Sequence, residues 1–253
     1  MKVGLNLYSL RTLIETEEGF FSVMEKVKQM GYDFVQCARM NLPKESFKKI
    51  SDKTGLDIVL THVSESAIVD ETDKTIKEHE YFGCKNIGLG AMSPAIITDE
   101  KVVKEKIDKL NLAGKVMKEK GFKFFYHAHH FDFYKHDGQT IFDYIVQNAP
   151  YINITLDTYW LQYGGVNVIE YVKKLKGRIE CVHLKDYKIV KSDKGFAPVF
   201  TSVGDGNMNF KDIIAECEKS GTKYFIVEQD NAVDAEDPLK EVEKSVKYLK
   251  QHF

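Results

Sequence analysis

Apolar positions along this chain gather into eight short runs, separated by stretches where apolar and charged residues recur at helical spacing. Val3 to Tyr8 is the first run and reads as a strand. Glu17 to Met30 follows as an amphipathic helix, with Phe20, Val23, Met24 and Val27 on one face and Gly31 as its stop. The alternation then repeats. Tyr32 to Cys37 is a strand, and Pro43 to Thr54 is a helix set between Pro43 and Gly55. Leu56 to His62 is strand three, followed by a helix from Glu71 to Phe82 that stops at Gly83. Lys85 to Leu89 is strand four, and Thr98 to Lys120 is a long helix ended by Gly121. The aromatic-rich Phe122-Lys123-Phe124-Phe125 opens strand five and runs into Tyr126-His127-Ala128-His129-His130-Phe131-Asp132-Phe133. Gly138 to Asn148 predicts a short helix, Asn153 to Asp157 strand six, and Val166 to Leu175 a helix stopped near Gly177. Arg178 to Leu184 is strand seven, and a long loop leads to a helix over Asn209 to Ser220, closed by Gly221. Lys223 to Glu228 is strand eight, and Ala235 to His252 is the last helix.

Eight strand–helix units of roughly 32 residues each predict an α/β protein, a single (β/α)8 barrel over residues 1–253. Helix, glycine, then apolar strand is the signature of successive parallel crossovers. An open doubly wound sheet would more often place a glycine-rich phosphate turn after strand one. This chain has Tyr8-Ser9-Leu10-Arg11 there, which favours the barrel. No low-complexity or linker-like tract marks a domain boundary.

Composition narrows the function classes. An apolar fraction of 43% supports a sizeable core, and a formal charge of −2 argues against nucleic acid as a partner. The lysines are interleaved with acids, as on solvated helix faces. Cys37, Cys84, Cys181 and Cys217 are far apart and form no CxxC pair, which suits reduced thiols in the cytoplasm. The polar N-terminal stretch from Met1 to Tyr8 gives no sign of a signal peptide or a membrane span.

The candidate chemistry lies at strand ends. In a parallel barrel the C-terminal ends of all strands converge on one face, where active sites form. Here they carry Tyr8, Gln36, His62, His127 with His129, Asp157, His183 and Glu228. Asp157, His183 and Glu228 come from three neighbouring strands and form a mixed oxygen–nitrogen set for Mn²⁺, Mg²⁺, Co²⁺, Fe²⁺ or Zn²⁺. A fourth ligand would come from strand five. Singly, Asp157 suits a turn cap, His183 a core histidine and Glu228 a lysine pair. Their coincidence at equivalent strand ends makes the joint functional reading the stronger one. Lys185, just past strand seven, could stabilise an oxyanion. Trp160, beside Asp157, could wall a sugar ring.

These motifs, together with Val203-Gly204-Asp205-Gly206 and Val227-Glu228-Gln229-Asp230, resemble the sugar phosphate isomerase/epimerase group of xylose-isomerase-like TIM barrels along the whole chain. The resemblance implies a divalent metal, manganese first, bound by Asp157, His183 and Glu228, and a small sugar as substrate. Two departures stand out. Better-known epimerases place a glutamate at strand five, where this chain has His127, leaving His127, His129 and Asp132 as candidates for the fourth ligand. Strand two often ends in glutamate, and here it ends in Gln36. The implied chemistry is proton removal beside a metal-polarised carbonyl, with Glu228 and His129 or His127 as proton carriers and Lys185 as a charge stabiliser. His62, Trp160, Tyr8 and Gln36 are then expected to contact substrate. Isomerisation or epimerisation through an enediolate is the primary expectation. Loss of a β-oxygen group, as a lyase, is the alternative, and a non-catalytic sugar-binding barrel the second. Endonuclease relatives of such barrels need a basic DNA face, which the balanced charge does not provide. Barrels of this kind are often dimers or tetramers, but no stretch identifies an interface.

Overall fold

The computed structural model describes residues 1–38 and 42–253. Eight parallel strands close into a barrel: β1 (Val3–Asn6), β2 (Phe34–Ala38), β3 (Asp57–Val63), β4 (Asn86–Leu89), β5 (Lys123–His127), β6 (Ile152–Asp157), β7 (Cys181–Leu184) and β8 (Tyr224–Val227). Each strand pairs with its sequence neighbours, and β1 pairs with β8 to complete the ring. The principal outer helices are α1 (Glu17–Gln29), α2 (Lys44–Thr54), α3 (Glu65–Val69), α4 (Thr72–Phe82), α5 (Glu100–Glu119), α6 (Ile141–Asn148), α7 (Thr158–Tyr163), α8 (Val168–Lys174), α9 (Phe210–Lys219) and α10 (Pro238–His252). No helix among the described residues is long and apolar enough to cross a membrane.

The barrel interior is built in layers by the two-residue period of a strand. Phe34, Leu60, Phe125, Cys181 and Ile226 form one buried apolar cluster, separate from the larger core between strands and helices. Two residues further along the same strands stand Gln36, His62, His127, His183 and Glu228. A plug of hydrocarbon therefore lies directly beneath a layer of polar groups. The plug fills the barrel axis closely enough to require a glycine opposite it. A Cβ on Gly4 would lie 2.1 Å from the Phe34 ring.

Where element ends depart from the sequence expectation, capping side chains decide. Strand one stops at Asn6 instead of Tyr8, because the Asn6 side chain accepts from the Tyr8 N–H and starts a 3₁₀ turn over Leu7–Leu13. The helix expected from Gly138 begins at Ile141. Asp137 and Gly138 both take positive φ as the two-residue turn of a small hairpin, and Thr140 then caps the helix. The helices expected from Thr98 and Ala235 begin after Asp99 and Asp237, whose carboxylates accept from backbone N–H groups of the first turn. The long loop after strand seven contains an antiparallel hairpin, Asp186–Ser192 with Gly195–Thr201. Its base is pinned by the Asp186 carboxylate, which accepts from the backbone N–H groups of Tyr187, Gly204, Gly206 and Met208. Gly206 packs so closely that a Cβ would lie 2.3 Å from that carboxylate.

On the outer side of β3, His79 of α4 is buried and neutral. Its Nδ1 donates to the Thr75 carbonyl and its Nε2 accepts from the Thr61 hydroxyl, both at 2.7 Å. Burial lowers its pKa to about 4. Between that value and the ordinary 6.5 the unfolded chain binds the proton and the folded chain does not, so this share of stability is full above 6.5 and declines as pH falls to about 4. Urea unfolding at stepped pH will show the gap between parent and His79→Phe narrowing by roughly 3 kcal/mol from pH 7 to pH 4. A gap that stays constant would mean His79 titrates normally.

Candidate metal centre

The side chains of His127, Asp157, His183 and Glu228 project from the ends of β5, β6, β7 and β8 and meet in one buried cluster, with one ligand atom from each lying within 4.8 Å of the others. Asp157 and His183 are side by side in the β6–β7 register. His127 Nε2 is 3.3 Å from Asp157 Oδ2 and 3.1 Å from His183 Nδ1. His183 Nδ1 is 2.5 Å from Glu228 Oε2 and 3.8 Å from Asp157 Oδ2.

The outer nitrogens of the two imidazoles are both engaged. His127 Nδ1 donates to the Gly90 carbonyl at 3.0 Å, and His183 Nε2 donates to the Gln36 side-chain oxygen at 2.7 Å. This fixes both rings with lone pairs on the nitrogens that face the cluster, the usual way a metal-binding histidine is oriented. Burial is the largest factor holding His127 in its neutral form, well below the ordinary histidine range. Two lone pairs and two carboxylates thus converge, while Glu228 Oε2 is buried with no hydrogen-bond donor directed at it. All four donor atoms lie within 4.8 Å of one another, close enough to converge on a single ion. The donor set fits a divalent cation.

Asp157 is the turn cap its sequence position suggests and also a member of the cluster. Its Oδ1 accepts from the Trp160 N–H and caps α7, while Oδ2 faces the cluster. Thr158 joins the tops of β6 and β7 by exchanging hydrogen bonds with the backbone of Lys185. The Lys185 side chain is fully buried, with Nζ 2.9 Å from Asp230, 3.5 Å from Glu228 and 3.6 Å from Asp157. Burial alone would lower its pKa, but Glu228, Asp157 and Asp230 outweigh it and raise it above the ordinary lysine value. For Glu228, burial pushes upward, yet Lys185 above all holds it well below the usual carboxylate range. Asp157 is raised, chiefly by burial and then by Glu228, with Lys185 opposing. Trp160 and Phe200 stack around Lys185, each ring centroid 4.9 Å from Nζ.

The structure separates the other residues singled out in the sequence. Asp132 is not in the cluster: its Oδ1 accepts from the Tyr126 hydroxyl and its Oδ2 from the His129 N–H, both at 2.8 Å, so both oxygens fix the turn after β5. His129 stands beside His127 with ring centroids 4.5 Å apart, and its Nδ1 has no hydrogen-bond partner. Burial, helped by His127, lowers its pKa to about 3. A cavity of about 930 Å³ opens from the cluster and is bordered by His127, His129, Glu228, His62 and Tyr8. Gln36, Trp160 and Lys185 do not border it. Gln36 stands behind the cluster, bridging His183 and His62, and Trp160 packs on His129, His130 and Phe200. Asp230 borders the cavity and escaped the sequence reading of roles, although it lies two residues past Glu228. Its Oδ1 has no donor, and burial together with Glu228 raises its pKa to about 7 against the pull of Lys185.

A closed parallel barrel with a four-donor cluster at its C-terminal rim defines a TIM-barrel enzyme architecture. The family model for xylose isomerase-like TIM barrels matches residues 24–252, and the chain belongs to that family. It is 30% identical over 214 residues to an inosose dehydratase from Clostridium perfringens, covering 72% of this chain and 71% of that one. An inosose dehydratase from Geobacillus thermodenitrificans is 27% identical over 254 residues, covering 86% and 85%. A solved sugar phosphate isomerase/epimerase from Parabacteroides distasonis superposes with a TM-score of 0.82 at 25% identity, covering 99% of this chain and 98% of that one.

Removing Lys185 leaves two buried carboxylates, Asp157 and Glu228, and the half-buried Asp230 without their common cation. Lys185→Met will lower the stability of the metal-stripped protein by about 3–5 kcal/mol in urea unfolding. Added Mn²⁺ will restore more stability to the variant than to the parent, because the ion then supplies the missing charge. Equal increments in the two proteins would contradict the shared-charge account.

Proposed function

We propose that this chain is a divalent-metal-dependent lyase that removes a β-oxygen group from a polyhydroxylated ketone of the sugar or cyclitol class. The observation that carries this reading is the unlikeness of the groups on facing sides of the cavity. β5 and β8 are three steps apart around the eight-strand ring, so their ends look across its mouth. From β5 comes the imidazole of His129, and from beyond β8 comes the Asp230 carboxyl paired with Lys185. Epimerisation takes a proton from one face of a carbon and returns it to the other, which asks for interchangeable carriers. Elimination asks for a base and a different group that serves the departing oxygen.

A divalent ion held by His127, Asp157, His183 and Glu228 would polarise a carbonyl and acidify the C–H beside it. His129, whose Nδ1 has no hydrogen-bond partner and which borders the cavity, accepts that proton. The freed electron pair forms the new C=C bond as the β C–O bond breaks, and the Lys185–Asp230 pair delivers a proton to the leaving oxygen. His62 stacks on His127 with ring centroids 5.4 Å apart and, with Tyr8, forms the wall on the β1–β3 side. The dehydratase name of the Clostridium perfringens relative supports elimination. The isomerase/epimerase name of the Parabacteroides distasonis structure supports a second reading, in which the same first step is followed by reprotonation.

Incubation of the Mn²⁺-loaded protein with a keto-cyclitol or keto-sugar in deuterated water distinguishes them. Loss of one water, with an unsaturated ketone absorbing in the ultraviolet, is the expected result, and His129→Gln will slow it by about 100-fold or more. A deuterated epimer or isomer as sole product would overturn the lyase reading in favour of the second. Absence of any carbon-bound exchange would overturn both.

A further inference from the structure

Asp132 is a buried acid that belongs neither to the metal cluster nor to the cavity lining. It is fully buried, and its partners are a hydroxyl and a main-chain N–H, with no cation among the described residues paired to it. Burial raises its pKa to about 7 against both hydrogen bonds. A carboxylate so placed costs more stability than an amide of the same shape. The fold alone does not call for a charge here.

The hydrogen bonds of Asp132 lead to two parts of the cavity wall. Oδ2 accepts from the His129 N–H at 2.8 Å. Oδ1 accepts from the Tyr126 hydroxyl at 2.8 Å, and that hydroxyl oxygen accepts from the Met92 N–H at 3.4 Å. His129 and Met92 both border the cavity, from the loops after β5 and β4. The Asp132 N–H also donates to the His129 carbonyl at 3.1 Å, so Asp132 holds the main chain of His129 on both sides. The turn itself is anchored, because Phe133 presses on Gly164 so closely that a Cβ there would lie 2.4 Å from its ring. The His129 imidazole, in contrast, has ring contacts only. Phe131 stacks on it at 5.1 Å, with Trp160 at 5.1 Å and His127 at 4.5 Å, and its Nδ1 has no partner. A histidine base is commonly oriented by an acid at its far nitrogen. Here the acid grips the main chain of the same residue.

We propose that Asp132 is a positioning residue for the reaction, which together with Tyr126 holds the main chain of His129 so that its imidazole stays at the cavity wall where the proton is taken. The inference rests on His129 as the proton acceptor, a step shared by the elimination and reprotonation readings. Asp132 neither touches the ketone nor exchanges a proton with it. Its charge strengthens both hydrogen bonds, which trades stability for a fixed base.

A double-mutant cycle tests this, using the Mn²⁺-loaded protein at pH 8 with an inosose as the ketone probe. Carbon-bound deuterium exchange and water loss are read by mass spectrometry. Asp132→Ala is expected to lower kcat by about 100-fold while KM changes by less than about twofold, because a misplaced base slows the step without altering binding. Asp132→Asn keeps an acceptor for the His129 N–H, so it restores kcat to within about tenfold of the parent and unfolds in urea no earlier than the parent. Tyr126→Phe keeps the ring and removes only the hydroxyl, lowering kcat by about tenfold, and it carries the cycle should Asp132→Ala fail to fold. In the His129→Gln background these substitutions lose their effect, since they act through a group no longer there. Losses of equal size in the two backgrounds, or no rescue by Asp132→Asn, would overturn the positioning role and leave His129 as the base. A parent without exchange or water loss, or His129→Gln as fast as the parent, would overturn the base assignment and the positioning role together.

Discussion

The two-residue period of parallel strands closing on themselves is the constraint from which the rest follows. It forces every second side chain inward, so a strand carrying an apolar residue in the plug must present its next inward residue one layer higher. Phe125 below His127, Cys181 below His183 and Ile226 below Glu228 are three instances of one rule. Placing two imidazoles, two carboxylates and a lysine in that layer removes them from water, at a cost that only mutual compensation offsets. The hydrogen bonds from His127 to Gly90 and from His183 to Gln36, and the lysine held between three carboxylates, are the forms this compensation takes. Among the cluster's own atoms, Glu228 Oε2 is left without a donor, and this is the place a cation would complete.

Much of this was legible in the chain because strands and their glycine stops are local signals. All eight barrel strands lie where apolar runs predict them, and the helices differ mainly at their first turns, which caps such as Asn6, Asp99 and Asp237 decide. The short helices α3 and α7 left no periodic trace because they have only five and six residues. They depend on Ser64 and Asp157 as caps. Asp157, His183 and Glu228 could be grouped from strand ends alone. The choice among His127, His129 and Asp132 could not, since all three follow one strand closely and only the inward period and the turn geometry separate them. His127 lies two residues beyond a plug residue, while Asp132 lies in the turn and spends both oxygens on it.

Sequence position also fails to say which side of a polar layer a residue faces. Gln36, at the end of β2, and Lys185 and Trp160, just past β7 and β6, touch the cluster's residues or their neighbours without bordering the cavity. Asp230 shows the reverse case, a residue past the strand whose turn brings it back to the cavity. The site therefore divides into a buried set of four donors and a supporting shell of hydrogen bonds and opposite charge around them.

The central claim is that His127, Asp157, His183 and Glu228 together hold one divalent ion. Titration of the metal-stripped protein with Mn²⁺ by calorimetry, beside His127→Ala and Glu228→Gln variants whose fold is checked by circular dichroism, tests it most directly. The account predicts one ion per chain in the parent, with binding lost or greatly weakened in each folded variant. Absence of binding by the parent, or binding unchanged in both variants, would contradict it.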